Sequence, residues 1–572
     1  MHDRPAALSP GAGELRHPAA LAALLAALLF LPGIGARDFW APDEPRFAEV
    51  AREMLQSGDW LVLRDNDQLY THKPPLLFWL IALVSLPFGE VTELSARLPI
   101  VACGVGTVWL SAALGRLWFG SLGGLAAGLL YATSYRGFLS AQWLQTDAPL
   151  ALCTALSVYG LARVLERDRA GASDLALIYG GAAGALLAKG PVGLLVPLLC
   201  ATGWALSERR PRLLRQIRPW LLAPAVLPVL LWGLATARVS PYSLAEALRV
   251  HVLERAMQGM HHPRPFYYYL ISLPLELLPW TAFLIGWAVS PFALDATARA
   301  GRRRALIWLA LAFAMFTLFT EKRPVYLLPM IPAACLLVAG AWRPDGWPAK
   351  GEPGRRRALA PFALLLLLSL LLLAAAPLAQ RRLGGGGAAM AGAAVAALVA
   401  AALALRAARG GRGKASLWFA SGASACLLLG LSLGAAPALD PIKSARPFCE
   451  QVSRLVRPDE RLGMYLFYRS AYVFYTRRFV EKIDSPAELE RFLGQAGAYC
   501  VLERNDYERL PAELRTRYFP LVQAQVGHRR MLLIGGGTPQ EGSRNHSNST
   551  STPRPSSMTY SRLRTMRSQD QR

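Results

Sequence analysis

PFALLLLLSLLLLAAAP, residues 361–377, is an apolar run interrupted by a single serine, set between the arginines at 355–357 and those at 381–382. Its length approaches the ~20 apolar residues with which a helix spans the hydrocarbon core of a bilayer. Comparable runs fall at 18–36, 220–235 and 305–320, too many for one soluble core to explain. Composition agrees: of 572 residues, 53% are hydrophobic and 17% charged, and the mean hydropathy is positive, as expected of a membrane protein. The formal charge of +24 raises nucleic acid as a partner. The basic residues lie between apolar blocks instead of forming one stripe interleaved with aromatics, so orientation in the membrane explains them and no nucleic-acid partner is expected.

Cytoplasmic loops carry the excess of Lys and Arg. Placing Arg116 and the clusters at 163–169, 209–218, 299–304, 343–357 and 406–414 on that side gives a consistent alternation. It predicts ~13 spans, at 18–36, 95–114, 120–140, 148–166, 174–190, 191–208, 219–237, 267–291, 303–320, 323–342, 358–379, 388–408 and 415–436. The segment 74–88 would break the alternation as a span and is read as an interfacial amphipathic helix. The first apolar block is long for a cleaved signal and is read as an uncleaved span. The N-terminus is then inside and the C-terminal region outside.

Three regions follow: a transmembrane domain at 1–439 with an external loop at about 37–94, a small soluble α/β domain at 440–537, and a disordered tail at 538–572. The α/β reading rests on short β-type runs at 462–466, 498–502 and 530–534 alternating with helical ones such as 486–493. The tail is rich in Ser, Thr, Asn and Arg with almost no apolar residues to bury. Seven cysteines are scattered without a CxxC pair, so no metal cluster is expected. Cys449 and Cys500 are either a disulfide in an exported domain or two free thiols.

Chemistry-bearing residues gather in the external segments. In Phe39-Trp-Ala-Pro-Asp-Glu-Pro-Arg-Phe-Ala-Glu49, Pro45 after two acids marks a helix N-terminus. Asp43 and Glu44 serve either as caps of that helix or as catalytic carboxylates. A second acid, Asp147, follows an apolar span in Leu144-Gln-Thr-Asp-Ala-Pro149 and falls on the same external face. Lys73 in Tyr70-Thr-His-Lys-Pro-Pro-Leu76 is either a snorkelling anchor or a point charge for a lipid phosphate. Lys189, in Ala-Lys-Gly-Pro, and Lys322-Arg323, in Glu-Lys-Arg-Pro-Val-Tyr, add external cations that favour a phosphate pocket. His251, His261 and His262 lie between the seventh and eighth spans, and with His72 they are either metal ligands or ordinary exposed histidines. The Tyr267–Tyr269 run reads as an interfacial aromatic belt.

Together these motifs, from Pro-Asp-Glu-Pro-Arg-Phe-Ala-Glu through Lys-Pro-Pro, Thr-Asp-Ala-Pro, Ala-Lys-Gly-Pro and Pro-Phe-Tyr-Tyr-Tyr to Lys-Arg-Pro-Val-Tyr-Leu-Leu-Pro, resemble the aminoarabinose transferase family. That family is related to protein O-mannosyltransferases within the GT-C superfamily. The resemblance runs from about residue 38 to 332. It implies a polytopic GT-C fold and transfer of a sugar, such as 4-amino-4-deoxy-L-arabinose, from undecaprenyl phosphate to lipid A or another envelope acceptor on the periplasmic face of a bacterial inner membrane. Asp43 and Asp147 then stand where the family has essential acids, and Lys73 where it has a carrier-phosphate lysine. Lys189, Lys322 and Arg323 match other basic positions around the phosphate. Family members place a Glu before that lysine which, with a loop histidine, holds zinc. Here His72 stands in that place and His262 is its loop partner, so zinc is optional and no cofactor is required.

The donor already carries its leaving group, so catalysis rests on positioning and on stabilising the departing phosphate. Lys73, Lys189 and Arg323 suit the second task. Asp43 is the general base for a hydroxyl acceptor, or orients an acceptor that is already ionised. Other readings are a protein O-mannosyltransferase-like enzyme, a transporter and a non-catalytic scaffold. A transporter would carry ionisable residues near mid-membrane and show related halves, and the sequence shows neither.

Overall fold

The computed structural model describes residues 17–239, 264–289, 295–342 and 355–535. The described chain forms two compact units. One comprises residues up to 37 together with 70–438, and the other comprises 38–69 together with the residues from 439 onward.

The first unit is helical. Among the described residues, seven helices are long and apolar enough to cross a membrane: Glu93–Ala132, Asp147–Arg167, Pro219–Val239, Pro324–Trp342, Leu359–Leu383, Gly387–Arg409 and Gly413–Ala438. Pro18–Phe30, Leu76–Phe88 and Val192–Ser207 are apolar but shorter. Glu93–Ala132 is broken at Gly120, whose φ of 76° lies in the region only glycine enters cheaply, so it is two helices meeting at a turn. This is where the sequence divides one predicted span from the next.

Small residues set the packing. Along Gly387–Arg409 the fully buried residues include Ala394, Ala397, Ala401, Ala404 and Ala408, a seam spaced alternately by three and four. Such a seam lets neighbouring helix backbones approach closely, and this helix packs against both Arg355–Leu383 and Gly413–Leu429. Helices Asp147–Arg167 and Ala172–Lys189 pack closely for the same reason. A Cβ on Gly181 would stand 2.6 Å from the Cys153 carbonyl oxygen, and Ser157 Oγ donates to the Ile178 carbonyl at 2.5 Å. One buried charge is well paired. Arg97, wholly buried, donates from Nη1 to the carbonyls of Ile34 and Arg37, both at 2.6 Å, and so fixes the turn after the first helix.

Three of the basic clusters assigned to one membrane side interact with acids between them. Arg304 Nε lies 2.6 Å from Glu208, its Nη1 meets Glu166, and Arg163 lies 2.8 Å from Asp174.

The second unit is built on a five-stranded sheet of β3 (Arg461–Tyr465), β4 (Glu481–Ile483), β5 (Ala498–Glu503), β6 (Pro520–Val526) and β7 (Arg529–Gly535), in the order β4-β3-β5-β7-β6. β3 runs parallel to β4 and β5, and β7 antiparallel to β5 and β6. The three β-type runs of the sequence are β3, β5 and β7, and the helical run is Pro486–Leu493. Successive strand residues face opposite sides. Val501 therefore packs with Cys449, Val452 and Tyr472 on one face, while Cys500 packs with Leu489 and Phe492 on the other. Cys449 and Cys500 are both buried free thiols. The disulfide alternative is thus corrected: the sheet stands between the two sulfurs.

Residues 38–69, read from sequence as part of an external loop of the transmembrane domain, fold into this second unit. Helix Asp43–Ser57 packs on helix Ser470–Thr476. Asn66 exchanges two 2.8 Å hydrogen bonds with the backbone of Val480, and Arg52 donates to the carbonyls of Phe474 at 2.7 Å and Val473 at 3.1 Å. The Trp40 indole N–H and the Asp38 backbone N–H both donate to Asp440, at 2.6 and 3.1 Å. A short hairpin, β1 (Arg64–Asp65) with β2 (Gln68–Leu69), carries Asp65 to Tyr468 and Ser470, each of which donates to it at 2.9 Å.

Candidate active site

In the first unit, Asp147 begins helix Asp147–Arg167 and is buried, and Lys189 ends helix Ala172–Lys189. The two helices pack against each other and bring Lys189 Nζ to 2.5 Å from Asp147 Oδ1. The same ammonium stands 4.2 Å from the centroid of the Tyr326 ring, a cation–π contact. Tyr326 lies just past Lys322 and Arg323, and the Arg323 carbonyl accepts the Tyr269 hydroxyl at 3.2 Å. Residues from three distant segments therefore meet at one place. The acid and the lysine form a charge-assisted pair in a site largely closed to water.

Lys73 enters the same unit nearby. Leu76, three residues on, packs with Leu150, Ala185 and Ala188, the immediate neighbourhood of Asp147 and Lys189. His72 is exposed, its ring 5.3 Å edge-on from that of Tyr70, which in turn meets Phe78 at 5.6 Å. Lys322 is buried, and its ammonium donates to the carbonyls of Phe319 at 2.5 Å and Arg264 at 3.3 Å. It thereby caps the end of helix Ala296–Leu318 and contributes charge to the site from a distance. Arg323 is half-buried beside Tyr326.

His262, the other half of the expected zinc pair, lies outside the described residues, as do His251 and His261. Among the described residues no three His, Cys, Asp or Glu side chains converge. His72 alone does not make a zinc site, and no step is routed through a metal.

In the second unit, the two neighbouring acids of the Asp-Glu motif part company. Glu44 is 2% exposed, and its Oε2 accepts the Trp40 backbone N–H at 3.0 Å, closing the turn before helix Asp43–Ser57. Pro42 holds the cap position of that helix and no side chain caps it, so Glu44 braces the preceding turn instead. Asp43 keeps a quarter of its side chain exposed, with Arg46 Nη1 at 3.9 Å, one turn further along the helix. The local sequence explains the arrangement: Pro45 is preorganised for the first helical turn, and acids there oppose the helix dipole.

Sequence reasoning gave no role to what lies further along that helix. Glu49 and Glu53, four apart and so on one helix face, are both buried beside Asp65. Arg52 pairs with Glu49 at 2.5 Å while also binding the two carbonyls of the 470–476 helix. Glu53 accepts the backbone N–H groups of Asn66 and, at 3.0 Å, Asp67. One guanidinium does not balance so many buried carboxylates. Burial, then the neighbouring Glu49, push the Glu53 carboxyl up to about 9, and burial also raises Glu49 and Asp65. Glu49 and Glu53 thus share a proton at neutral pH.

A raised folded-state value means that the folded form holds a proton the unfolded chain releases. The associated stability is full below the ordinary glutamate range and is lost as pH rises toward about 9. Glu53→Gln, which keeps the acceptor oxygen for Asn66, is expected to flatten the decline in melting temperature of the full-length protein between pH 6 and 9, a slope of up to ~1.4 kcal/mol per pH unit. An unchanged slope would remove the shared proton from the account.

Comparison with known proteins agrees with this architecture. A family model described as dolichyl-phosphate-mannose-protein mannosyltransferase matches residues 72–232. The undecaprenyl phosphate-alpha-4-amino-4-deoxy-L-arabinose arabinosyl transferase of Edwardsiella ictaluri is 29% identical over 324 residues, 56% of this chain and 58% of that protein. Its namesake from Pseudomonas aeruginosa is 31% identical over 54% of this chain and 57% of its own length. The chain thus spans somewhat under three fifths of the curated relatives it matches. The crystal structure of ArnT from Cupriavidus metallidurans bound to undecaprenyl phosphate superposes with a TM-score of 0.75 at 20% identity, covering 91% of this chain and 98% of that one. By its apolar helices the chain is a multi-pass membrane protein; its fold is like that of ArnT, and over somewhat more than half its length its sequence is similar to the aminoarabinose transferases.

Proposed function

We propose that this chain transfers a sugar, 4-amino-4-deoxy-L-arabinose on the strength of its relatives, from undecaprenyl phosphate to lipid A or another envelope acceptor at the periplasmic face of a bacterial inner membrane. The observation that carries the proposal is the meeting of Asp147, Lys189 and Tyr326 in a closed site, with Lys73, Lys322 and Arg323 in the same unit. These basic residues suit a lipid-linked phosphate, and relatives named for such a donor support the reading.

In this mechanism the bond from the sugar's anomeric carbon to the phosphate oxygen breaks, and the electron pair leaves with the carrier phosphate. Lys73, Lys189 and Arg323 stabilise that charge, while Lys322 adds to the field. Asp147 holds Lys189 in position. An acceptor hydroxyl forms the new bond and gives its proton to Asp43. With an acceptor phosphate, already ionised, Asp43 orients it instead. No resident cofactor enters these steps, and zinc remains a proposal resting on His72 and His262.

The test is mass spectrometry of lipid A and envelope glycans from cells lacking the protein, complemented with wild type or with Lys189→Ala. Loss of one sugar-bearing lipid species, restored by wild type alone, is expected and names sugar and acceptor. Loss of a protein-linked sugar would move the acceptor to the mannosyltransferase-like alternative, and unchanged glycans would favour a transporter or scaffold.

A further inference from the structure

In the first unit, the turn that joins helix Val192–Ser207 to helix Pro219–Val239 carries arginine at every third position: Arg209, Arg212, Arg215 and Arg218. All four are exposed, and among the described residues none has a carboxylate within ion-pair distance. Arg210, also in this turn, lies 3.9 Å from Asp168.

The turn is not a loose tether. Its short helix, Arg212–Gln216, is pinned from beneath by Leu213 and Ile217, four apart and both buried. The Arg218 N–H continues the winding, donating to the Arg215 carbonyl at 3.1 Å. The Tyr179 hydroxyl is shared between the carbonyls of Ile217 and Arg218, at 2.7 and 2.9 Å, and the Gln216 amide donates to the Asp168 carbonyl at 3.0 Å. Residues three apart on a helix are neighbours, so Arg212 and Arg215 stand side by side on the face opposite the two buried residues. Arg209 and Arg218 have φ of 54° and 52°, the left-handed region that costs a non-glycine residue free energy. Such strain clusters at ligand clamps. Like charges held together on a braced turn repel, and a bound anion relieves that repulsion.

The apolar neighbours indicate which anion. Leu206, 78% exposed, precedes the row, and Trp220, 66% exposed, follows it. Tryptophan at the end of a spanning helix sits among lipid headgroups. Among the described residues of helix Pro219–Val239, only Ala225 and Gly233 are buried, so little protein surrounds it. Guanidinium forks pair bidentately with phosphate oxygens, and rows of basic residues beside a spanning helix attract acidic lipid. We propose that Arg209, Arg212, Arg215 and Arg218 bind the phosphodiester headgroup of an acidic phospholipid of the surrounding leaflet, with Trp220 against its glycerol and upper acyl region. This surface is independent of the transferase reading.

The test titrates the full-length protein, in neutral detergent, with phosphatidylglycerol or phosphatidylcholine of identical acyl chains, and counts bound lipid by native mass spectrometry. Wild type is expected to bind phosphatidylglycerol roughly tenfold or more tightly than phosphatidylcholine. Arg209→Gln/Arg212→Gln/Arg215→Gln/Arg218→Gln should lose that preference. Arg406→Gln/Arg409→Gln/Arg412→Gln/Lys414→Gln, which removes as much charge from another basic cluster, should keep it. Equal loss in both variants, or no preference in the wild type, overturns the proposal. Millimolar inorganic phosphate that displaces the lipid would overturn it in favour of a free-anion site. If the first variant melts below wild type without added lipid, Arg212→Gln/Arg215→Gln decides: a loss of roughly threefold or more in preference upholds the surface, and an unchanged preference ends it.

Discussion

Lys189→Met is expected to abolish transfer and to destabilise the membrane unit by about 3–5 kcal/mol, because it leaves the buried Asp147 carboxylate without its counter-charge. Removing one partner of a buried pair costs far more than the pair itself is worth. The double variant Asp147→Asn/Lys189→Met should therefore recover most of the lost melting temperature in detergent and none of the activity. That split separates the two duties of Lys189, structural toward Asp147 and electrostatic toward the departing phosphate. A Lys189→Met protein as stable as wild type would show that the 2.5 Å pair does not hold the two helix ends together.

Asp43→Asn is expected to lower kcat by roughly 10² to 10⁴, the range over which a positioned general base contributes, with stability within ~0.5 kcal/mol of wild type. The side chain is partly exposed, with Arg46 Nη1 3.9 Å away, and the amide keeps its shape. Glu44→Gln supplies the control beside it. Its amide oxygen still accepts the Trp40 N–H, so turnover should stay within a few-fold of wild type. Asp43→Asn within twofold of wild type would eliminate the base.

Several helices of the first unit were legible because their apolar blocks are long and local and Arg clusters punctuate them, whereas the expected spans 267–291 and 120–140 are each broken into two helices. The 388–408 span, for instance, is the helix Gly387–Arg409. Strands β3, β5 and β7 were legible for the same reason, being short runs of strand-forming residues bounded by turns. Long-range pairings were not legible. Nothing periodic in 38–69 announces that Asn66 pairs with Val480, or that Arg52 is held by two carbonyls more than 400 residues away. The parting of Asp43 and Glu44 was likewise closed to sequence, since both suit a helix N-terminus and only the path of Trp40 brings its N–H to Glu44. Asp147 and Lys189 were each singled out by motif, but their pairing depends on the close approach of two helices permitted by Gly181. Glu49 and Glu53 drew no reading from sequence, since nothing local announces that their helix packs on the 470–476 helix and buries them.

The partnership between Asn66 and Val480 spans 414 residues of chain. At ~5–20 residues per second, ribosomal synthesis leaves roughly 20–80 s between the emergence of the two. During that interval the helix bearing Asp43 has no partner for its acidic face, and its hairpin has no strand end to bond. The membrane helices can assemble meanwhile, but the segment carrying the proposed base reaches its final form only after the last domain has been made. The final form of the helix bearing Asp43 is thereby deferred until the strands after residue 439 have been made.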